Sequence, residues 1–417
     1  MKVYCGVAVL LVCARAAHAD APLTIEDAVR GALARNERAA IADLDVAVSE
    51  ANLAGARTAL YPEVNASASN TIRPLGSPID VVNGRLSVAQ PFLVPAVYPR
   101  IARARHQLAG QRAESADERR RVAFDAARAF VAVLLAKQVV QASTRKLGTA
   151  KANLADTEAQ VAAQLVSSND VTRAKISLAG ATRELAANQA RFDAAAVQLA
   201  FVINGPVSSD LVPPAALLEQ GQRGLGAIDA MISTSLSHRP DLVARKQTTL
   251  AAREAAKEPR RQYLPALSIG AQLDATSNPG GSGRNVDGQL AVTASWLIYD
   301  GGERAATIRA RDAQVAIADL AAAQLARSIE AEVRSAAVQL VGSQQALVAA
   351  AEARDAARKG ADEAAILYRQ KLTKAIELVD ANDQRFVAEV NYATAEFDVT
   401  SAYLNLRLAM GLEPVEP

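Results

Sequence analysis

Two stretches of more than a hundred residues contain no proline, one between Pro99 and Pro206 and the other between Pro279 and Pro414. An interior proline costs a helix about 3 kcal/mol. In a chain of 417 residues with 16 prolines, these two windows are therefore where long helices can run unbroken. Ala, Leu, Arg, Glu, Gln and Lys dominate both and glycine is sparse, the composition of good helix formers. Leu178, Leu185, Phe192 and Leu199 stand seven apart with Ala181, Ala195 and Ala196 between them, and Leu325, Ile329, Val333, Ala336 and Leu340 step by three and four. Such seams face other helices. Alanine in a seam lets backbones approach closely and suits slender coiled-coil pairs better than a wide core. A 60-residue helix would run roughly 90 Å, and 4% aromatic residues is too few for several bulky cores.

Between the helical windows the pattern changes to alternation. "PEVNASASNTI" (62–72), "GRLSVAQPFL" (84–93), "PALSIGAQLDA" (265–275) and "DGQLAVTASWLI" (287–298) set apolar residues against small or polar ones. In the last, Leu290, Val292, Ala294, Trp296 and Ile298 oppose Gln289, Ala291, Thr293 and Ser295. Each segment is about ten to twelve residues, the length of a tilted strand crossing a bilayer. The turn-rich connectors "RPLGSPIDVVN" and "TSNPGGSGRNV" join them into two hairpins. Beyond the first 19 residues the longest apolar run, Ala129 to Ala136, is eight residues, well short of a spanning helix. Any membrane crossing must use strands.

The N-terminus reads as a signal peptide over 1–19: Lys2, an apolar stretch from Val7 to Val12, and Ala17-His18-Ala19 before Asp20. Leu10-Leu11-Val12-Cys13 is the alternative, lipidated reading, although such sites want a small residue where Val12 stands. With the leader go Cys5, Cys13, Lys2 and Arg15, which takes the formal net charge from +2 to zero. No disulfide is expected, and no charge excess points to nucleic acid. Only His106 and His238 remain, neither with a histidine at i+4, so a zinc or copper site lacks ligands. "NPGGSG" (278–283) lies between two strands and is a loop, not a phosphate cradle. No nucleophile, base and orienter stand out, so no enzyme and no cofactor is expected.

A shift of about 205 residues superposes three landmarks in order: Tyr61-Pro62 on Leu264-Pro265, "QLVSSNDVTRA" (164–174) on "KLTKAIELVDA" (371–381), and "FVINGP" (201–206) on "LAMGLEP" (408–414). The expected organisation is a first repeat over 20–206 (helix, hairpin at 62–93, two long helices) and a linker over 207–237. A second repeat follows over 238–413, with its hairpin at 265–298, and then a tail at 414–417. Four strands cannot close a barrel, and lipid does not tolerate open edges. Several chains must share one barrel, and the strand count alone allows eight or twelve strands.

With "LTIEDAVRGALARNERA" (23–39) opening the mature chain, "RPDL" (239–242), "LIYDGG" (297–302) after the fourth strand, and the paired "LVSSNDV" and "LTKAIELVD", the sequence resembles the TolC-like outer membrane factor family along essentially the whole mature chain. The resemblance implies a mainly α chain of long antiparallel coiled-coil helices that form a periplasmic tunnel. It also implies a homotrimer in the outer membrane whose lipid surrounds a shared 12-stranded barrel. The implied function is a passive exit duct of a tripartite efflux or type I secretion system, fed by an inner-membrane transporter through a periplasmic adaptor. The rival reading is a soluble periplasmic coiled-coil spacer or adaptor.

The resemblance also nominates residues. Glu377 and Asp380 share a helix face and match carboxylates that ring the narrow end of similar tunnels, with Asp170 at the matching place in the first repeat. Three copies around one axis would favour cations; the bland reading is a solvated acidic face. Tyr368 matches a gate tyrosine or is plain packing. Thr373 stands where a basic gate partner is common, so Lys374 is expected to pair with Glu377. Gln164-Leu165 and Lys371-Leu372 are the expected tips that meet the adaptor. Gln164 and Lys371 replace the glycine of many relatives, so either the turn has another shape or strain is stored there. Trp296 is either an interfacial aromatic or a packed one.

Overall fold

The computed structural model describes residues 22–71, 81–208, 210–277 and 285–415. The expected leader with both cysteines, most of the two hairpin connectors and the last two residues of the tail lie outside these residues. The proline-free windows are occupied by α3 (Val97–Ala162) with α4 (Ser168–Ile203), and by α8 (Glu303–Arg369) with α9 (Ala375–Met410). The two helices of 36 residues and the pair of 66 and 67 residues form a pattern of matched lengths. It continues upstream. Helices α1 (Ile25–Arg35) and α6 (Ile228–His238) have 11 residues each, and α2 (Glu37–Thr58) and α7 (Pro240–Arg261) have 22 each. In element order the second repeat therefore begins at α6, inside the segment assigned as linker, which also holds α5 (Ala215–Gln222). The expected single entry helix of each repeat is broken. Asn36 caps α2 by accepting from the Arg38 N–H at 2.9 Å, and Pro240 occupies the first turn of α7.

Two compact units divide the chain. The first is drawn from Met1–Ala32, Ala126–Gln220 and Val348–Phe397. In it α4 presents a heptad seam: Ala174, Ala181 and Asn188 are buried, with Leu178, Leu185 and Phe192 half-buried four residues on. Asn188 donates to Ser143 Oγ of α3 at 2.7 Å, and a buried asparagine in a seam fixes helix register. The parallel bridge of Leu23 with Leu211 ties the chain start to the segment after α4.

The second unit is drawn from Leu33–Asp125, Gly221–Leu347 and Asp398–Pro417. Leu53 of α2 packs there against Val97, Ile101, Ala104 and Leu108 of α3. It carries one antiparallel sheet in the order β1 (Glu63–Thr71), β2 (Val81–Leu93), β3 (Ala266–Thr276), β4 (Val286–Ser295). Register assigns the two faces. Ser67, Arg85, Asp274 and Asp287 lie in one row and Asn65, Ser87, Gln272 and Gln289 in another on the same face. The alternate rows run Ala66, Leu86, Leu273 and Gly288, then Val64, Val88, Ala271 and Leu290. One face is polar and the other apolar, and Val64, Leu86, Leu273, Leu290 and Val292 are all exposed. Pro91 lacks an N–H for the ladder, and the register shifts beside it.

Fold expectations fail in detail at two places. β4 ends at Ser295, so Trp296 lies just beyond the strand. Pro259 sits inside the last turns of α7, where it forgoes one i→i−4 hydrogen bond close to the helix end. The first repeat leaves its hairpin by a turn at Pro95-Ala96, closed by the Val97 N–H donating to Val94 O at 3.0 Å. The second uses Asp300-Gly301-Gly302: both glycines have positive φ (69° and 95°), and Asp300 accepts from the N–H groups of Gly302 and Arg304.

Candidate functional site at two helix turns

The turns between α3 and α4 and between α8 and α9 are built alike. Gln164 and Lys371 have φ of 57° and 64°. The Gln164 N–H donates to Val161 O (2.8 Å) and the Leu165 N–H to Gln160 O (2.9 Å); Lys371 to Tyr368 O (3.0 Å) and Leu372 to Leu367 O (2.9 Å) repeat the pattern. This is the Schellman closure. The same closure ends α4 at Asn204 (φ 45°) and α9 at Gly411 (φ 79°). Members of each pair stand 207 residues apart. Of the two alternatives for a turn without glycine, the left-handed shape is kept and a side chain bears the strain, which for an L-residue is about 1–2 kcal/mol. Gln164→Gly and Lys371→Gly should each raise stability by about 0.5–1 kcal/mol, part of the relief being offset by glycine's freedom when unfolded. A lowered unfolding midpoint in either variant would contradict this. Leu165 and Leu372 are exposed beside these turns.

Each turn feeds a helix start. Ser167 caps α4 by accepting from the Asn169 N–H at 3.2 Å, and Asp170, half-buried, follows in the first turn. In the first turn of α9 the Glu377 carboxylate accepts a hydrogen bond from the Thr373 hydroxyl. The expected Lys374–Glu377 pair is not formed among the described residues. Thr373 takes Glu377 instead, and a lysine gains nothing from the positive end of a helix dipole. Asp380 accepts from Gln384 Nε2 at 2.9 Å. Glu377 and Asp380 are both exposed on one side of α9.

Tyr368 is 7% exposed. Its hydroxyl lies 3.4 Å from Thr157 Oγ1 of α3. Thr157 spends its own proton on Asn153 O at 2.6 Å, so Tyr368 is the donor of that bond. Beside it, Ala174 of α4 and Leu378 of α9 help line a largely apolar cavity of about 200 Å³, with Asp170 and Arg173 at its wall. The turns thus bring together Asp170, Tyr368 and the start of α9. Trp296, in the second unit, is exposed, and its Nε1–H donates to Tyr263 O at 3.0 Å.

Sequence reasoning missed the buried charged side chains, three of which tie elements together most directly. Arg304, 5% exposed, bonds Asp300, Gln262 O and Ile298 O and lies over the Tyr263 ring; the Asp300–Arg304 spacing of four was the available signal. Arg239 and Glu389 are the others. The "RPD" triplet pointed to the first as a helix start, while nothing local distinguishes Glu389 from other acids of α9. Among the described residues, no helix is long and apolar enough to cross a membrane, which says nothing of strands.

Residues 231–412 match the family model described as outer membrane efflux protein. The curated protein CyaE of Bordetella pertussis is 29% identical over 160 residues, which is 38% of this chain and 34% of that protein's length. Solved channels match over far more of the chain at lower identity. The outer-membrane channel OprN has a TM-score of 0.76 at 20% identity, covering 93% of this chain and 89% of that one. The outer membrane channel MtrE of Neisseria gonorrhoeae, in its open state, has 0.79 at 18%, covering 94% and 90%. The CmeC outer membrane channel of Campylobacter jejuni has 0.78 at 14%, covering 94% and 87%. The chain therefore shares the fold of the solved outer-membrane channels, and its residues 231–412 carry the likeness to the outer membrane efflux protein family.

Proposed function

We propose that three copies of this chain form an outer-membrane exit duct. A 12-stranded barrel would cross the membrane and the helices would line a periplasmic tunnel. Solutes would be supplied by an inner-membrane transporter through a periplasmic adaptor, as in an efflux or type I secretion system. The observation that carries this reading is the sheet. It has one apolar face, one polar face and two edges, β1 and β4, with no strand partner among the described residues. An exposed apolar face of this extent needs a cover, and lipid is the cover that also demands closed edges. Four strands are too few for closure within one chain. A further apolar stripe on α2, formed by Ile41, Leu44 and Val48, suits contact with a neighbouring copy.

In this reading Glu377, Asp380 and Asp170 face the narrow periplasmic end and favour cations. The Tyr368–Thr157 bond ties the α8/α9 turn to α3, and the tips at Gln164-Leu165 and Lys371-Leu372 meet the adaptor. The sheet supplies a direct test, because the mature chain is expected to hold no cysteine. Cysteine pairs are introduced along β1 and β4 and oxidised in outer-membrane fractions. If β4 of each copy pairs with β1 of the next, a covalent ladder forms and stops at three chains. A ladder stopping at two would demand an eight-stranded barrel. Uncrosslinked chains in the soluble periplasmic fraction would favour the coiled-coil spacer and sink the duct.

A further inference from the structure

Four helices of the first unit meet in one cross-brace of charge. Glu389 of α9, 8% exposed, accepts from Arg145 of α3 at 2.7 Å and from Arg358 of α8 and Arg385 of α9 at 3.3 Å each. Arg385 also reaches Asp362 of α8 at 3.3 Å. One residue from Arg145, Lys146 joins Glu184 of α4 at 2.8 Å and Asp383 of α9 at 2.9 Å. It lies 4.6 Å from the centre of the Phe386 ring. Asn188 of α4 and Ser143 of α3 add their buried bond at the same level. Burial pushes the Glu389 carboxyl up, but the bonds and charges of Arg145 and the other two arginines outweigh it and hold the group below the ordinary glutamate range.

The segments that run from this level to the turns are held differently. Glu389 is about 20 Å along α9 from its first residue. On the turn side, among the described residues, the ion pairs between helices are reduced to Lys175–Glu158 at 3.9 Å, with both side chains exposed. The remaining polar tie is the 3.4 Å Tyr368–Thr157 bond, beside an open cavity of about 200 Å³. A cavity of about 360 Å³ also lies beside Arg145, Lys146 and Glu389, so the difference lies in the ties: several ion pairs across four helices hold them together, whereas a single long hydrogen bond resists little.

We propose that the Glu389–Lys146 brace is the fixed base of the gate: the four helices move as one body on its far side and bend individually between it and the turns. Glu389, Lys146 and their partners are positioning residues that set how much of the tunnel end can open. Cation preference, in contrast, belongs to Glu377 and Asp380. This inference rests on the duct reading.

The test is single-channel recording of the full-length protein in planar bilayers, wild type against Glu389→Gln and Asp383→Asn, each first shown to assemble. A weakened base should raise open probability by at least ~5-fold, the lower end of typical coupling free energies, with the reversal potential in a salt gradient unchanged. Asp383→Asn, at a half-exposed position, should move it in the same direction by less and carries the test if Glu389→Gln fails to assemble. A variant that loses thermal stability yet opens as wild type does would reduce the brace to a structural role and overturn the proposal. So would a shift in ion selectivity. Absence of current from wild type itself would remove the duct reading instead.

Discussion

Arg239→Ala is expected to cost the folded chain about 3–5 kcal/mol, the range for removing one partner of a buried charge cluster. Arg239 is 7% exposed. Its guanidinium forks onto Asp241 through Nε at 3.1 Å and Nη2 at 2.6 Å, and its Nη1 reaches Glu332 of α8 at 2.5 Å and the Ala409 carbonyl at 3.3 Å. Ser235 and Arg120 bond the neighbouring C-terminal carbonyls of α9, Ala409 O at 2.8 Å and Leu408 O at 2.6 Å. One arginine therefore joins the α6–α7 junction, α8 and the end of α9. Gly411 must be glycine here: φ is 79°, and a Cβ would stand 2.9 Å from Arg239 Cγ.

Truncation removes the cation that Asp241 and Glu332 share and one of the two side-chain bonds to the Ala409 carbonyl. Arg239→Lys should recover only part of the loss, since an ammonium cannot make the fork. The effect has a pH signature. Burial pushes the Asp241 carboxyl up, but the hydrogen bond and charge of Arg239 outweigh it and hold it below the ordinary aspartate value. A carboxyl depressed in the fold stabilises it above the unfolded pKa and loses that contribution as pH falls through the folded one. The gap between wild type and Arg239→Ala should therefore narrow below about pH 4. Chemical unfolding at pH 7 and pH 3 checks both statements, and equal gaps at the two pH values would show that Asp241 is not the partner that matters.

Glu377→Ala combined with Asp380→Ala should lower the cation-to-anion permeability ratio of the channel several-fold. Three copies would place six carboxylates around one narrow axis. Even at ~1 kcal/mol of total bias, the Coulomb scale of one close pair in water, the change is about 5-fold. Lys374→Ala removes a cation from the same turn and should move the ratio the other way. Reversal potentials in a salt gradient decide it. No change with the double variant, or the same direction with Lys374→Ala, would mean that the constriction lies elsewhere and that these acids are a solvated face.

Much of the fold was legible because two strong rules coincide in this chain. The absence of proline marked the spans of α3, α4, α8 and α9, and the seven-residue steps from Leu178 to Leu199 located a real seam. Alternation found all four strands, because a sheet with one apolar face writes period two into the sequence. What stayed hidden depends on partners distant in sequence. Glu389 is one of several acids on α9 until arginines from α3 and α8 converge on it. Asn188 did not stand out, although it occupies the same heptad position as Ala174 and Ala181. The helix break at Asn36 was missed because a capping side chain can end one helix and begin the next within a residue. Thr373 displaced the expected Lys374–Glu377 pair because its hydroxyl reaches Glu377 directly.

The central claim is a shared membrane barrel that conducts, and the most direct measurement is the current across a planar lipid bilayer after adding the purified wild-type protein. A shared trimeric barrel should give discrete, cation-favouring steps from a species whose mass is that of three chains. A folded protein that gives no steps, or that partitions into buffer without detergent, would contradict it.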